Sequence, residues 1–472
     1  LSYEAMGWKA VEVYDVAATG PGFFSRRLEL TAEAGAGTPR FDSVEVYVGR
    51  VSERLLRSGS IAAPYYWPPL NMPLAEFARD RQVNQHCGQM VTGIGLYSPK
   101  PSLAFAVGQY WERDWNRFLC RGKNSIVEVQ AQYDCVGRLK PGLKIPAGGQ
   151  FLLVSDMPGH RAALRAIGQG WERLGFTRVP PPKWAESIAL YSCFPGGTMG
   201  SHLRDLRSPG DQPSALRNFQ KLQLPALKRL GVNAVWFLPL WPRLYGVSDY
   251  WSLEPSLGTV DDLRAVVRDA HDGGLRVLCD LIPHGPHESS GLLQEHPEWV
   301  SRHEDGTVLY WWGCLSCDYA NPGWQDYMAR VATYWVREAD IDGWRVDCAA
   351  GGPENWRPCG DNLPSWSGQW GGLECMRVVR EAMSKVKPDH VMLGECANPP
   401  MLSQAHFIYD WPAETAMFRV LEEPREDWVR NMAGWLDFQR LALPSGAAHG
   451  LMRFTENHDQ MHSLWQLGAN LA

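Results

Sequence analysis

Carboxylates of two lengths and one arginine follow short apolar segments of this 472-residue chain. The residues are Asp280, Arg345, Asp347, Glu395 and Asp459. A carboxylate beside a cation stays charged, whereas a carboxyl group in a drier, acid-rich site stays protonated, so one member of such a set can attack while another donates a proton. A single carboxylate at the end of a strand often caps the next helix. It is therefore the whole set, with its arginine, that indicates catalysis.

Short apolar strands alternate with longer amphipathic helices after residue 182, and this alternation predicts βα units around a parallel sheet. Seven strands are predicted, at Glu186–Ser192, Asn233–Leu240, Leu275–Ile282, Ile341–Asp347, His390–Glu395, His406–Asp410 and Leu451–Asp459. A repeating βα unit of this length predicts a (β/α)8 barrel of the TIM type, whose chemistry lies at the carboxyl ends of the strands. Arg345 and Asp347 share one face of their strand, because residues two apart point the same way.

Two helices between these strands have clear sequence signals. Thr259 with Asp262 three residues later predicts a capping box, and Gly273 predicts the end of that helix. Asn321 followed by Pro322 predicts another helix start, with an N-cap and a proline at the first helical position. The apolar stripes that follow both starts indicate helices packed on a core.

The first part of the chain has a different pattern, with strand-like segments rich in Val, Ile, Tyr and Phe and separated by Gly and Pro. The clearest are Phe41–Val51, Ser102–Trp111, Asn124–Asp134 and Gly149–Asp156. One helix around residues 162–171 follows, and then a stiff polyproline stretch from Val179 to Lys183. We therefore predict an N-terminal β-sandwich domain over residues 1–178 and the catalytic barrel over residues 179–472, with a short inserted loop region at 283–321.

Composition limits the classes of partner. Lysine and arginine number 46 against 52 acidic residues, a net charge of −6, and no dense basic run offers a phosphate-binding surface. No apolar stretch reaches the length of a membrane span, and no targeting signal is visible. We thus expect neither nucleic acid nor membrane as a partner, no cofactor and no metal site; the compartment is unknown. Tryptophan is abundant, at 22 residues, which suits either core packing or stacking on flat ligands.

Four segments resemble, in order and in position, the four motif regions of the alpha-amylase family of glycoside hydrolases. They are DLIPHG (280–285), GWRVD (343–347), GE (394–395) and ENHD (456–459). The stretch from Tyr245 to Asp280 is also similar to that family, so the likeness covers most of the region from Glu186 to Asp459. The ordered series, with Arg two residues before Asp347 and His directly before Asp459, makes the resemblance specific.

The resemblance implies a role for each of three carboxylates. Asp347 would be the nucleophile that forms a covalent glycosyl-enzyme, Glu395 the general acid/base, and Asp459 a third carboxylate that holds sugar hydroxyls. Retaining hydrolysis needs one ionised carboxylate and one protonated carboxyl about 5 to 5.5 Å apart. The residue types therefore suit the implied chemistry.

Other residues are candidates for contact with the sugar. By its motif position Tyr245 would stack on the sugar at the cleavage point, and His458 would donate or accept a hydrogen bond there. The inserted loop and the loop after the fourth strand are long and rich in tryptophan, which favours sugar stacking for some of these rings. The full set of candidates for substrate binding is Arg345, His458, Tyr245, Asp280, His284, Trp312 and Trp356.

The chain departs from the family in three ways. His284 and Gly285 stand where the family usually has Asn-His, so the calcium site that the Asn commonly helps to form is not predicted. After Asp347 comes Cys348 rather than a stretch leading to the Lys-His of amylases, which puts ordinary α-1,4 specificity in doubt. Only 13 residues follow Asp459, so the barrel is expected to lack its last βα unit and the chain to be a fragment of a longer one.

The leading hypothesis is a retaining glycoside hydrolase of the alpha-amylase type that acts on α-glucosidic bonds of oligo- or polysaccharides. A transglycosylase with the same residues stays open, because both reactions share the covalent intermediate. A weaker likeness of the N-terminal region to alpha-galactosidase-type enzymes suggests a rival in which Asp410 is the acid. A non-catalytic carbohydrate-binding protein with the same fold is the alternative from another class.

Overall fold

This structure is a computed structural model of the chain. It describes residues 2–5, 8–16, 22–32, 40–41, 44–63, 70–86, 92–110, 116–133, 137–138, 144–195, 214–303, 305–353, 355, 369–422 and 425–459. Two of the tryptophans expected near the site, Trp356 and Trp366, and the residues after Asp459 lie outside these ranges.

Antiparallel strands make up the N-terminal region. They are β1 (Ser2–Ala5), β2 (Trp8–Val16), β3 (Phe23–Ala32), β4 (Arg40–Phe41), β5 (Val44–Arg50), β6 (Ser60–Ala63), β7 (Leu70–Pro73), β8 (Arg81–His86), β9 (Gly93–Pro99), β10 (Ser102–Tyr110), β11 (Asn116–Lys123), β12 (Ile126–Tyr133), β13 (Gly137–Arg138) and β14 (Lys144–Val154). The helices here are α1 (Glu53–Ser58), α2 (Leu74–Asp80) and α3 (His160–Arg173).

Two main sheets form from these strands, one with the order β1-β2-β3-β14-β10-β9-β6-β7 and one with the order β5-β12-β11-β8. Buried apolar side chains of both sheets, such as Ile61 and Leu96 on one and Phe118 and Val129 on the other, belong to a single core. The four predicted segments correspond largely to β4 with β5, β10, β12 and β14, but β1 to β3, β6 to β9, β11 and the short β13 were missed. Several of these, such as β3 and β11, mix polar and apolar residues without a sustained alternation.

Seven parallel strands form the sheet of the second region, in sequence order. They are β15 (Leu190–Cys193), β16 (Ala234–Phe237), β17 (Arg276–Leu281), β20 (Gly343–Val346), β21 (Val391–Gly394), β22 (Phe407–Tyr409) and β23 (Leu451–Met452). Between β17 and β20 the chain forms a separate small hairpin of β18 (Tyr310–Trp311) and β19 (Cys314–Leu315). Every predicted strand is present in its predicted place, and the arrangement fits part of a (β/α)8 barrel. The seventh ends at Met452, so the stretch from Arg453 to Asp459 is a loop and not strand.

Helices connect the parallel strands. They are α4 (Ala215–Asn218), a π-helical turn (Phe219–Gln223), α5 (Leu224–Leu230), α6 (Val260–Asp272), α7 (Leu292–Glu295), α8 (Pro322–Ala339), α9 (Gln369–Val386), α10 (Trp411–Glu422) and α11 (Glu426–Ala442). The capping box of Thr259 and Asp262 at the start of α6 is confirmed, as is the cap of Asn321 on α8. No helix of the described ranges combines the length and apolar character that a bilayer crossing requires.

Helix α3 joins the two regions. It packs on β9, β10 and β14 and also on α11. Gly168 of α3 allows this close approach, because a Cβ there would collide with the backbone carbonyl of Leu443. Trp171, fully buried, belongs to the same core as the parallel sheet. The domain boundary at residues 178 and 179 stays a prediction.

Candidate active site

The carboxyl ends of β17, β20 and β21 bring the predicted polar residues together. The register pairs Asp280 of β17 with Arg345 of β20, and Arg345 with Leu393 of β21. Asp347 follows β20 and Glu395 follows β21, each directly after the last strand residue. β20 and β21 are buried along their whole length and β17 from Val277 onward, so the polar side chains emerge where the sheet stops. The sheet thus delivers four of the predicted side chains to one place.

Arg345 is the centre of the site and has no exposed surface. Its Nη1 donates to both oxygens of Asp280, at 3.0 and 3.2 Å, and to Oδ1 of Asp347 at 2.6 Å. Nη2 lies 2.5 Å from Oε1 of Glu395. Its guanidinium also stands 5.0 Å from the centre of the Trp236 ring. One buried cation therefore serves three carboxyl groups, which leaves the cluster with excess negative charge.

The excess negative charge affects the pKa of Glu395. Burial raises the pKa of Glu395 to about 7, and the charge of Asp347 adds to the rise against the opposing effect of Arg345. Oε2 of Glu395 accepts a hydrogen bond of 2.7 Å from the backbone N–H of Cys348. A carboxylate oxygen of Glu395 and one of Asp347 lie within 4.8 Å of each other. The separation and the raised pKa match what a protonated acid beside an ionised nucleophile requires.

Asp280 is fully buried and hydrogen-bonded on the side away from Arg345. Burial raises the pKa of Asp280 well above its ordinary value, although Arg345 opposes the shift. The hydroxyl of Tyr245 donates to Oδ2 of Asp280 at 3.1 Å and lies 2.7 Å from Nε2 of His458. Burial, followed by Arg345, lowers the pKa of His458 to about 4, so this ring is neutral at pH 7.

Tyr245 and His458 form a ring pair whose planes are nearly parallel, 4° apart, with centroids 5.9 Å apart. The edge of Trp236 supports His458 from a further side, at 5.2 Å. Asp459 lies at the outer edge, with 53% of its side chain exposed and Oδ2 3.4 Å from Nε2 of His458. The predicted third carboxylate is therefore close to the buried cluster and not within it.

His284 faces Asp347 from the loop after β17. Its ring is buried, Nε2 stands 3.6 Å from Oδ2 of Asp347, and Nδ1 has no hydrogen-bond partner among the described residues. Burial lowers the pKa of His284, with Asp347 opposing, so the imidazole is neutral. Gly285 next to it has a φ of +132°, and a Cβ there would collide with the carbonyl oxygen of Leu315. The space that a side chain at 285 would need is taken by the hairpin of β18 and β19.

The tryptophans are divided between rim and core. Trp312 sits at the hairpin tip with a φ of +53° and is 70% exposed, so its face is open to a ligand. Trp311 beside it is half-buried and meets the ring of His284 edge-on at 6.3 Å. Trp299, another tryptophan of the inserted loop region, is not open to a ligand. It is buried, stacked on His296 at 3.8 Å and packed against Trp324 of α8.

Three contributors to the site were not predicted as such. Tyr409 accepts a hydrogen bond from Nε of Arg345 at 3.2 Å, the backbone of Cys348 binds Glu395, and Trp236, assigned only to the core, lies over Arg345. Strand alternation could have found Tyr409, since a tyrosine at a strand's end faces the same site. Asp410, the acid of the rival reading, instead accepts from Gln439 at 2.8 Å and from the N–H of Ala413, and pairs with Arg453.

One group of described residues could place three metal-ligand atoms close together, namely Asp347, Cys348 and Glu395. Two features make it a poor metal site. Arg345 already pairs with both carboxylates. Burial, and then the charges of Asp347 and Glu395, raises the pKa of the Cys348 thiol, whereas a metal binds the thiolate. The group fits acid–base chemistry better than metal binding.

Comparison with known proteins connects this geometry to a family. Residues 220–300 match the family model described as the alpha amylase catalytic domain. A cyclomaltodextrinase of a Bacillus species is 25% identical over 326 residues, which cover 61% of this chain and 55% of the relative. A cyclomaltodextrinase of Thermoanaerobacter pseudethanolicus is 25% identical over 45% of this chain and 40% of its own length. The Bacillus subtilis intracellular maltogenic amylase is 26% identical, over 45% of this chain and 38% of that protein.

Among solved structures, a maltogenic alpha-amylase of Thermotoga neapolitana aligns at 25% identity and a TM-score of 0.48, over 60% of this chain and 63% of that one. The chain spans about half the length of the curated relatives it matches. The predicted resemblance to the alpha-amylase family of glycoside hydrolases is confirmed by the family model and these relatives.

Proposed function

We propose, from its resemblance to the alpha-amylase family, that this chain is a retaining glycoside hydrolase that cleaves α-glucosidic bonds of oligo- or polysaccharides. The observation that carries the proposal is the pair of Asp347 and Glu395. Their oxygens lie within 4.8 Å, both contact Arg345, and the pKa of Glu395 is raised to about 7. An ionised carboxylate and a protonated carboxyl at this separation are what a double-displacement reaction uses.

In the first step Oδ2 of Asp347, the oxygen not held by Arg345 Nη1, attacks the anomeric carbon. The bond between that carbon and the leaving oxygen breaks, and the proton of Glu395 goes to the leaving oxygen. In the second step Glu395, now ionised, takes a proton from water, whose oxygen displaces Asp347 from the sugar. Arg345 stabilises the negative charge of Asp347 before the attack and after its release.

The remaining candidates would hold the sugar. Tyr245, supported by the parallel His458 ring, offers an aromatic face beside the cluster. Asp459, more than half exposed, would bind sugar hydroxyls from the rim, and Trp312 would stack on a more distant unit. Asp280 has both oxygens occupied by Arg345 and Tyr245, so its contribution to binding would pass through Tyr245.

We further propose that residues 1–178 form a β-sandwich domain and residues 179–472 a (β/α)8 barrel lacking its last unit, with the inserted loop region at 283–321. The two antiparallel sheets with a common core support the first part. The seven parallel strands in sequential order support the second.

The substrate class follows from the relatives. Cyclomaltodextrinases and maltogenic amylases are named for action on α-glucan oligosaccharides, and we propose that class as the partner of this chain. A transglycosylase stays an alternative because a second sugar can replace water in the second step. The alpha-galactosidase-like reading is less supported, since Asp410 is engaged by Gln439 and Arg453.

A trapping experiment tests the proposal. A fluorine-substituted α-glucosyl or α-maltosyl fluoride forms the covalent intermediate but releases it slowly, and peptide mass analysis then locates the label. We expect the label on Asp347, and none in Asp347→Asn. Label on another residue would overturn the assignment of the nucleophile. Sugar binding without label or turnover on a panel of α-glucosides would support the non-catalytic alternative.

A further inference from the structure

His284 occupies an unusual position beside the proposed nucleophile. Its Nε2 stands 3.6 Å from Oδ2 of Asp347, the oxygen opposite the one that Arg345 holds. This distance is slightly longer than a hydrogen bond, and catalytic hydrogen bonds are often long before substrate binds. A small movement of either side chain would therefore close it.

The protonation of the ring can be worked out from its surroundings. The imidazole is buried and neutral, so one of its two nitrogens carries a proton and the other a lone pair. A lone pair on Nε2 would face the negative oxygen of Asp347 and be repelled. Nδ1 has no hydrogen-bond partner of ordinary geometry among the described residues, and the backbone of Gly285 affects the pKa of the ring less than the charge of Asp347 does. The tautomer with the proton on Nε2, directed at Asp347, is the one that the site stabilises.

The inserted hairpin of β18 and β19 holds this residue in place. The N–H of Cys317 donates to the carbonyl of His284 at 3.0 Å, and the N–H of Leu315 donates to Pro286 at 3.2 Å. Trp311 meets the imidazole edge-on, and the carbonyl of Leu315 fills the space beside Gly285. Backbone hydrogen bonds at residues 284 and 286 and the aromatic contact on the ring therefore restrict where Nε2 can point.

We propose that His284 is a positioning residue for Asp347 and not a ligand of the sugar. Its Nε2–H donates to Oδ2 of the nucleophile, while Arg345 of β20 holds Oδ1. Two donors, one from a loop and one from a strand, then fix the carboxylate plane for attack. When Oδ2 bonds to the anomeric carbon, the hydrogen bond weakens, and it re-forms when water releases the sugar. The inference rests on the function proposed above.

The experiment compares His284→Leu with His284→Gln. Leucine keeps an apolar side chain of similar bulk without a donor, whereas the glutamine amide presents an N–H near the place of Nε2. We expect His284→Leu to lower kcat, and the rate at which Asp347 is labelled, by about 10- to 100-fold with little change in KM, because misplacement of a reacting group by about 1 Å costs up to about 100-fold. His284→Gln should recover most of both rates.

His287→Leu is the matched control, since this histidine lies in the same loop but bonds to Arg243 and Ser289. Melting temperature and near-ultraviolet circular dichroism show whether each variant folds. A folded His284→Leu enzyme with unchanged kcat, or with the loss confined to KM, would overturn the proposal, as would a glutamine variant no better than leucine. If the unaltered protein itself is never labelled, the proposed function fails and this role fails with it. Labelling of the unaltered protein together with equal labelling of His284→Leu would refute only the role of His284.

Discussion

Two buried charge clusters stand at opposite ends of β20, and they have opposite imbalances. At the carboxyl end, the single cation Arg345 meets three carboxyl groups. At the amino end, the fully buried carboxylate Asp342 meets three basic groups, which also pair with the more exposed Asp340 and Asp389. Its partners are His271 at 2.7 Å, Arg276 at 2.9 Å and Lys387 at 3.0 Å. The same strand therefore has, three residues apart, a buried arginine surrounded by carboxyl groups and a buried aspartate surrounded by basic groups.

The pKa values of Glu395 and Asp342 are shifted in opposite directions. Burial raises the pKa of Glu395 to about 7, because Arg345 cannot neutralise every carboxyl group around it. Burial would also raise the pKa of Asp342, but the hydrogen bond from His271, the charge of Lys387 and the N–H of Val277 outweigh it and lower the pKa to about 2. Whether a buried carboxyl group holds its proton at neutral pH or stays ionised thus depends on how many carboxyl groups and how many basic groups surround it. We propose that the first arrangement serves chemistry and the second stability.

The largest effect is expected from removing the proton donor. Glu395→Gln should lower kcat/KM on an unactivated α-glucan by about 10²- to 10⁴-fold, since this is the usual contribution of a general acid. Its melting temperature should stay the same or rise, because the change takes one carboxyl group out of a cluster with too few cations. Steady-state kinetics and thermal unfolding check both parts.

Glu381→Gln is the control for that change, because Glu381 lies half-exposed on α9 and pairs with Arg377 there. It should leave the kinetics as they were. A Glu395→Gln enzyme that unfolds several degrees earlier would contradict the comparison, since Glu395 would then be a stabilising anion like Asp342.

The second effect concerns the other end of the strand. Asp342→Asn should destabilise the fold by about 3 kcal/mol, because it removes the buried anion that Arg276 and Lys387 share and leaves them only their more exposed partners Asp389 and Asp340. At a temperature where the variant is folded, kcat/KM should be unchanged. Urea unfolding measures the first quantity and steady-state kinetics the second.

Asp340→Asn is a matched control, because Asp340 also pairs with Lys387 and lies near His271 but is 72% exposed. It should cost no more than about 1 kcal/mol, as exposed ion pairs do. If Asp340→Asn and Asp342→Asn lower the free energy of unfolding equally, the burial of Asp342 is not the reason that the amino-end cluster stabilises the fold.

The carboxyl-end cluster could be predicted well from the sequence and the amino-end cluster could not. Arg345 and Asp347 are two residues apart on one strand, and Asp280 and Glu395 end neighbouring strands, so strand geometry alone brings them together. The partners of Asp342 come instead from α6, from the start of β17 and from the loop after α9. Nothing in their spacing indicates that they meet.

Residues whose position depends on loops were the least predictable. Trp299 and Trp312 both lie in the inserted loop region and have the same residue type, yet one is packed on α8 and the other is exposed. Asp459 was placed at the end of a strand, but β23 stops at Met452 and a loop carries Asp459 to the rim. Strand ends and caps follow from local rules, whereas loop paths depend on tertiary contacts.

The third prediction uses acid to weaken the amino-end cluster. A carboxyl group whose pKa is lower in the folded than in the unfolded chain stabilises the fold above the unfolded value and loses that contribution as pH falls through the folded value. For Asp342 the interval runs from 3.8 down to about 2. The free energy of unfolding should therefore drop by about 2 kcal/mol across it from this group alone, because each pKa unit corresponds to about 1.4 kcal/mol. Urea unfolding at several pH values should show a smaller drop in Asp342→Asn, and equal slopes would contradict the assignment.

The smallest effect tests the carboxyl-end cluster by raising the pH. Glu395 must be protonated for the first step, and its pKa is raised to about 7, so kcat/KM should fall above that pH by about tenfold per unit. The loss should reverse on returning to neutral pH, because it reflects proton release and not unfolding. In Asp342→Asn, kcat/KM should begin to fall at the same pH, since Asp342 lies at the other end of β20. A fall that begins at a different pH in Asp342→Asn, or a profile that stays flat well above pH 7, would show that the charge imbalance around Arg345 does not set the protonation of the acid.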